Sequence, residues 1–138
     1  MQKFILSLDQ GTTSSRVILY NTNFKPIDTL QKEFNQYFPK NGWVEHDALE
    51  IWKDVKFLIS KIIKKNKIKS SQILSIGITN QRETTVLWNK KNGKPINKAI
   101  VWQDRRTSGL CDTLKKKKLD KKIQKITGLI VDPYFSAT

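Results

Sequence analysis

Hydrophobic and polar residues alternate in short blocks at the start of the chain, then settle into helical spacing. Phe4–Leu8 and Arg16–Tyr20 are apolar, β-branched-rich runs around the polar stretch Asp9–Ser15. They predict two adjacent antiparallel strands flanking a functional loop. Asn21–Asn23 predicts a turn, Ile27–Phe34 a third strand and Pro39–Gly42 a loop. Ala48, Ile51, Trp52, Val55, Leu58, Ile59 and Ile62 then recur three and four apart, one continuous apolar stripe that predicts a helix. Asp47 precedes it with Glu50 three positions on, a capping-box-like start in which Asp takes the place of Ser or Thr. The Lys-rich segment through Lys69 closes the helix. Ile73–Thr79 reads as a buried strand, Thr84–Asn89 as another, Asn92-Gly93 as a turn and Ala99–Val101 as a short inner strand. Thr107–Lys117 and Asp120–Thr127 have weaker helical spacing, with Gly128 as the C-cap of the second. Strands, a long helix, then strands alternating with helices make an α/β chain without internal repeats.

The 138 residues match one domain on the rough prior of 100–200 residues per domain, and exclude a two-domain enzyme with an interdomain site inside this chain. A hydrophobic share of 38% is enough to build a core and speaks against disorder. The single cysteine, Cys111, forms neither an internal disulfide nor a Cys-rich zinc site. No run approaches the roughly 20 apolar residues of a membrane helix, and Phe4–Leu8 is too short for a signal peptide. A cytoplasmic, reducing setting is the expectation. The net charge of +14 invites a nucleic-acid reading, but only four of the 26 basic residues are Arg. Base-edge readers lean on Arg. The Lys runs at Lys64–Lys67 and Lys115–Lys118 fall at helix ends and solvent faces, so no nucleic-acid partner is expected.

Four constellations carry candidate chemistry. Asp9-Gln10-Gly11-Thr12-Thr13-Ser14-Ser15-Arg16 puts a carboxylate at a strand end, then a glycine and four hydroxyls. Asp9 suits Mg²⁺, which takes few carboxylates, while Gly11 allows close backbone approach to an anion that hydroxyls and turn amides bind. It is not a Walker A loop; an ordinary polar hairpin is the alternative. Asn80-Gln81-Arg82-Glu83 follows the apolar run Ile73–Thr79, where α/β proteins place ligands. Arg82 donates and Glu83 accepts, which suits neighbouring hydroxyl groups, or else they form a surface ion pair. Trp102 offers a flat wall to a small polyol, or serves the core. Tyr134, in Asp132-Pro133-Tyr134-Phe135-Ser136, gives its hydroxyl to a ligand or to a turn.

These residues also carry a resemblance. LDQGTTSSR at Leu8–Arg16, Gly42-Trp43-Val44-Glu45-His46-Asp47, IGITNQRETT at Ile76–Thr85, AIVWQDRRT at Ala99–Thr107 and TGLIVDPYFSAT at Thr127–Thr138 resemble the glycerol kinases of the FGGY carbohydrate-kinase family, in order and spacing. The resemblance implies a ribonuclease-H-like fold of the actin/sugar-kinase type, and ATP- and Mg²⁺-dependent phosphorylation of glycerol to sn-glycerol 3-phosphate. It implies that Thr12, Thr13, Ser14 and Arg16 contact nucleotide phosphates and that Asp9 serves the metal. Arg82, Glu83 and Tyr134 would hydrogen-bond glycerol, with Trp102 against its carbon skeleton. His46 takes no catalytic role and is expected beside the helix cap. Asp104, Arg105 and Arg106 are read as structural, and Cys111 as half-buried. The family's catalytic base is an Asp expected beyond Thr138. The chain therefore reads as the first part of the family's N-terminal domain, with the C-terminal domain absent, incomplete as a fold and not expected to turn over alone. Such a piece predicts an unpaired sheet edge and exposed apolar surface. The resemblance leaves room for a homo-oligomer in the full-length form. The other readings are a different FGGY sugar kinase and a non-catalytic basic module.

Overall fold

Alternation along the first strand fixes the sheet. In β1 (Phe4–Gln10) the side chains of Phe4, Leu6 and Leu8 are buried on one face, as the two-residue period of a strand requires. β2 (Ser14–Asn21) returns antiparallel, setting Leu6 opposite Leu19 and Leu8 opposite Val17, so the apolar positions of both strands share that face. β3 (Pro26–Glu33) adds antiparallel to β2. The chain then forms α1 (Ala48–Lys65) and a short 3₁₀ turn at Ser70–Gln72 before β5 (Ile73–Thr79) pairs parallel to β1. A parallel neighbour needs such a crossover. The sheet order is β3-β2-β1-β5. The computed structural model describes residues 2–138.

Helix α1 starts where Asp47 accepts from the amides of Leu49 (2.9 Å) and Glu50 (3.2 Å). Glu50 itself accepts from the Asn35 side chain at 3.0 Å. The helix packs on β2 and β3, and Val55, Leu58 and Ile62 join the strand residues in one core cluster. The apolar stripe is narrower than its sequence pattern: Trp52 is exposed, and the helix position buried beside Val55 is Asp54. Asp54 pairs with Lys32 of β3, and its Oδ2 has no hydrogen-bond partner among the described residues. At the far end, Lys65 Nζ (2.9 Å) and Asn66 Nδ2 (2.8 Å) hold Asp28, again tying β3 to the helix. Those two side-chain bonds keep the Asp28 carboxyl below the usual carboxylate range.

Two strand expectations need correction. Ile73–Thr79 is a strand, but not a buried one. Ile76 and Ile78 lie opposite Leu6 and Leu8, yet α1 packs over β2 and β3 and leaves both exposed. Thr84–Asn89 is not a strand. It is one arm of a loose hairpin joined at isolated bridges, Thr85 with Ile100 and Trp88 with Pro95, around a turn closed by Gly93 at φ 68°. Pro95 occupies a non-hydrogen-bonded position of its bridge, flanked by Asn89 N–H to Lys94 O at 2.8 Å and Ile96 N–H to Leu87 O at 2.9 Å, so its missing N–H costs the hairpin no bond there. Within its length the chain divides into two compact units. The first runs to Asn35 and resumes at Asp47–Gln81; the second comprises Gln36–His46 and Arg82–Thr138.

In the second unit, the excursion before α1 explains the division. Tyr37 and Glu45 exchange backbone bonds of 3.0 and 2.8 Å, and β4 (Glu45–His46) then pairs antiparallel with β6 (Ala99–Ile100). Local patterning does not register a pairing over that distance in sequence. His46 is fully buried, with Nε2 2.5 Å from Gln36 Oε1. Helices α2 (Ser108–Lys116) and α3 (Asp120–Thr127) follow; Gly128 caps α3 in the left-handed region at φ 76°, as its spacing predicted. Cys111 is fully buried rather than half-buried, because it takes the inward position of α2.

Replacing Leu58 by Ala should lower unfolding free energy by about 2–5 kcal/mol, whereas Ile78→Ala should change it by no more than about 0.5 kcal/mol. Urea denaturation of the two variants measures this directly.

Candidate functional site

In the first unit the strands reach further into the first motif than its polarity suggests. Asp9 and Gln10 belong to β1 and Ser14, Ser15 and Arg16 to β2, so only Gly11, Thr12 and Thr13 form the turn. Gly11 N–H donates to Ser14 O at 3.0 Å, and a Cβ on Gly11 would stand 3.3 Å from that oxygen, tighter than nearly all real contacts. The glycine keeps the turn this narrow. Ser15 is fully buried and donates to Gln10 Oε1 at 2.7 Å, so its hydroxyl belongs to the hairpin. The Ser14 hydroxyl accepts from Gln31 at 3.0 Å, and Thr13 is exposed. Asp9 and Arg16 face each other in register and form an ion pair through Oδ2. Both side chains stay partly exposed, so the pair adds little stability.

Asp9 Oδ1 has no partner among the described residues, and no group of three or more His, Cys, Asp or Glu side chains gathers there or elsewhere among them. The described residues therefore build no all-protein metal cage. One carboxylate with one uncommitted oxygen does fit Mg²⁺, which draws its other ligands from phosphates and water.

In the second unit, Glu83 takes the left-handed conformation at φ 59°, which costs a residue with a Cβ about 1 kcal/mol or more. Its Oε2 accepts from both the backbone N–H and the hydroxyl of Ser136, each at 2.9 Å. These two bonds hold the Glu83 carboxyl below the usual carboxylate range; partial desolvation opposes them and neighbouring Arg82 assists. Trp102 and Tyr134 meet edge to face with ring centres 5.4 Å apart, and Tyr134 meets Phe135 likewise at 4.9 Å. Arg82 is exposed. Glu83, Phe135 and Ser136 line a cavity of about 160 Å³. Of the residues singled out by sequence in this unit, Glu83 is thus joined to the Tyr134 loop and Trp102 to Tyr134.

Sequence reasoning missed what holds that loop. Asp132 Oδ1 accepts the Tyr134 amide at 2.9 Å, and Arg105 grips the same carboxylate with two bonds of 2.8 and 3.3 Å. The Arg105 bond is the main cause of a lowered Asp132 pKa, with the Tyr134 amide next. An Asp two residues ahead of an amide in a Pro-containing turn was the available signal. Asp104 and Arg106 form a separate brace. Arg106 bonds Asp104 and Glu45 and lies 3.7 Å over the Trp43 ring, while Asp104 also accepts from the Val44 amide at 2.7 Å. Burial pushes the Asp104 carboxyl up, but the bonds from Arg106 and Val44 outweigh it and the net shift is downward.

A family model for the N-terminal domain of the FGGY family of carbohydrate kinases matches residues 4–138. The chain belongs to that family. Similar FGGY relatives include the glycerol kinases of Bacillus subtilis (strain 168), 56% identical over all 138 residues, and Oceanobacillus iheyensis, 57% identical over 137 residues, or 99% of the chain. The chain spans 28% and 27% of the lengths of these curated relatives. Among solved structures, Plasmodium falciparum glycerol kinase with ADP superposes with a TM-score of 0.90 at 38% identity, over 99% of this chain and 27% of that one. Gluconate kinase from Lactobacillus acidophilus gives 0.88 at 23% identity over 97% of this chain and 26% of its own, a likeness of fold. The FGGY chain thus has the ribonuclease-H-like fold of the sugar kinases, and no helix among its described residues is long and apolar enough to cross a membrane.

Because the folded pKa of Asp132 lies below its unfolded value of about 3.9, its contribution is complete above that value and is lost as pH falls through the folded pKa. Acidification below about pH 4 should therefore loosen the loop, seen as loss of protection at the Tyr134 amide. In Asp132→Asn this acid-dependent step should disappear.

Proposed function

We propose that this chain supplies the phosphate loop and part of the glycerol site of an ATP:glycerol 3-phosphotransferase acting in the cytoplasm. The observation that carries this reading is 56% identity to a glycerol kinase over the full 138 residues. In this reading Arg82 donates to a glycerol hydroxyl and Glu83 accepts from its neighbour, while Trp102 and Tyr134 give the C–H face a wall and Tyr134 adds a hydroxyl. The Gly11–Thr13 turn presents amides and hydroxyls to the nucleotide phosphates, with Thr12, Thr13, Ser14 and Arg16 as donors. Asp9 Oδ1 would hold the Mg²⁺, directly or through water, and the ion would neutralise phosphate charge as the phosphoryl group moves.

The lowered pKa of Glu83 bears on its role. A carboxylate stabilised by two donors is a poorer proton acceptor than an unperturbed one, while a general base works best with a pKa near the working pH. Glu83 therefore orients the nucleophilic hydroxyl. Its proton goes to another group, an Asp that the family resemblance locates outside these 138 residues.

The test joins residues 1–138 to the remainder of the Bacillus subtilis relative. A coupled assay should detect glycerol-dependent ADP release from the chimera and none from the isolated chain. Arg82→Ala should lower kcat/KM for glycerol at least about tenfold, the value of a hydrogen bond to a charged group. Preference of the chimera for gluconate or xylulose over glycerol would overturn the reading.

A further inference from the structure

Ser136 is assigned no task by the polyol reading, yet it makes a two-bond contact with a candidate site carboxylate. Both of its donors converge on one oxygen of one carboxylate, the backbone N–H and the hydroxyl each 2.9 Å from Glu83 Oε2. Glu83 Oε1 is left with no partner among the described residues. A surface ion pair would not need this; it gains little and tolerates many geometries. A doubly held oxygen beside an uncommitted one fixes the direction of the remaining lone pairs, which is what orienting a hydroxyl demands.

Two further observations point the same way. Glu83 stands at φ 59°, a conformation that a residue with a Cβ keeps only when its surroundings over-determine it, and such outliers cluster where geometry matters for function. The loop bearing Ser136 is itself anchored. Arg105 grips Asp132, Asp132 accepts the Tyr134 amide, and the Thr138 hydroxyl donates to Asp132 O at 2.6 Å. Tyr134 thus hangs from the anchored Asp132 carboxylate with Ser136 two residues on in the same loop, which delivers an aromatic wall and a carboxylate clamp together.

We infer that Ser136 is a positioning residue that holds Glu83 Oε2 so that Oε1 is presented to a substrate hydroxyl. The inference rests on the polyol reading for the identity of that hydroxyl, but the clamp itself does not. Ser136 touches Glu83 and acts through it. The hydroxyl bond also helps to keep Glu83 ionised, so losing it moves a measurable titration.

The experiment has two arms. In the 138-residue chain, carbon-detected NMR follows the Glu83 carboxyl through acid pH in the native sequence, Ser136→Ala and Ser136→Thr. The Glu83 midpoint should rise in Ser136→Ala and return towards the native value in Ser136→Thr, which keeps the hydroxyl. In the chimera described above, Ser136→Ala should raise KM for glycerol about three- to tenfold with a smaller effect on kcat and none on KM for ATP. Ser136→Thr should restore it. A Glu83 midpoint unmoved by Ser136→Ala would overturn the clamp, and so would an unchanged glycerol KM in a chimera that phosphorylates glycerol. A native chimera that ignores glycerol but keeps the Ser136-dependent titration would refute the polyol reading while upholding the clamp.

Discussion

The register of β1 against β2 is the constraint on which the first unit depends. With Leu6 opposite Leu19 and Leu8 opposite Val17, the apolar residues of both strands face α1. The same register sets Asp9 opposite Arg16 and leaves Gly11, Thr12 and Thr13 to close the turn. A slip of one residue would send the core side chains to solvent and break the Asp9–Arg16 pair in the same stroke. Core and Gly11–Thr13 turn are therefore specified together. The proposed metal carboxylate is held at a strand end by the burial of Leu8 and Leu6, one and three positions before it, rather than by the weak ion pair it makes.

The second unit reaches a similar result with polar contacts. Its short β4–β6 pairing is braced by Arg106, which ties Asp104 and Glu45 together against Trp43. Its terminal loop is held through Arg105 and Asp132. Adjacent arginines thus serve two different frames. Both partners of Arg106 are largely buried, so removing the guanidinium would strand desolvated carboxylates, whereas Arg105 is exposed and acts by fixing geometry.

Much of this was legible in the sequence where the signal was local. The helix stripe with its Asp47 cap, the hairpin of the first two strands and the Gly128 cap each arise from contacts within a few residues, and each formed. Burial of β5 was not legible, because an apolar strand reads the same whether or not a helix covers it. The pairing of Glu45–His46 with Ala99–Ile100 was missed for a related reason: its partners lie more than fifty positions apart, and two residues carry no periodicity. Among the candidate site residues, motif strings pointed to Glu83, Trp102 and Tyr134. Arg105 was read as structural, in keeping with its grip on Asp132, whereas Asp132 and Ser136 were given no role of their own because only their three-dimensional partners reveal their use.

The central claim is that Arg82, Glu83, Trp102 and Tyr134 of this FGGY chain bind glycerol. The most direct measurement is segmental isotope labelling of residues 1–138 within the chimera, followed by titration with glycerol. The account predicts saturable shifts at the Trp102 indole, the Glu83 carboxyl and the Tyr134 ring, with the Trp43 and Trp88 indoles unmoved. Binding that left those three signals in place, or moved the Trp88 hairpin instead, would contradict it.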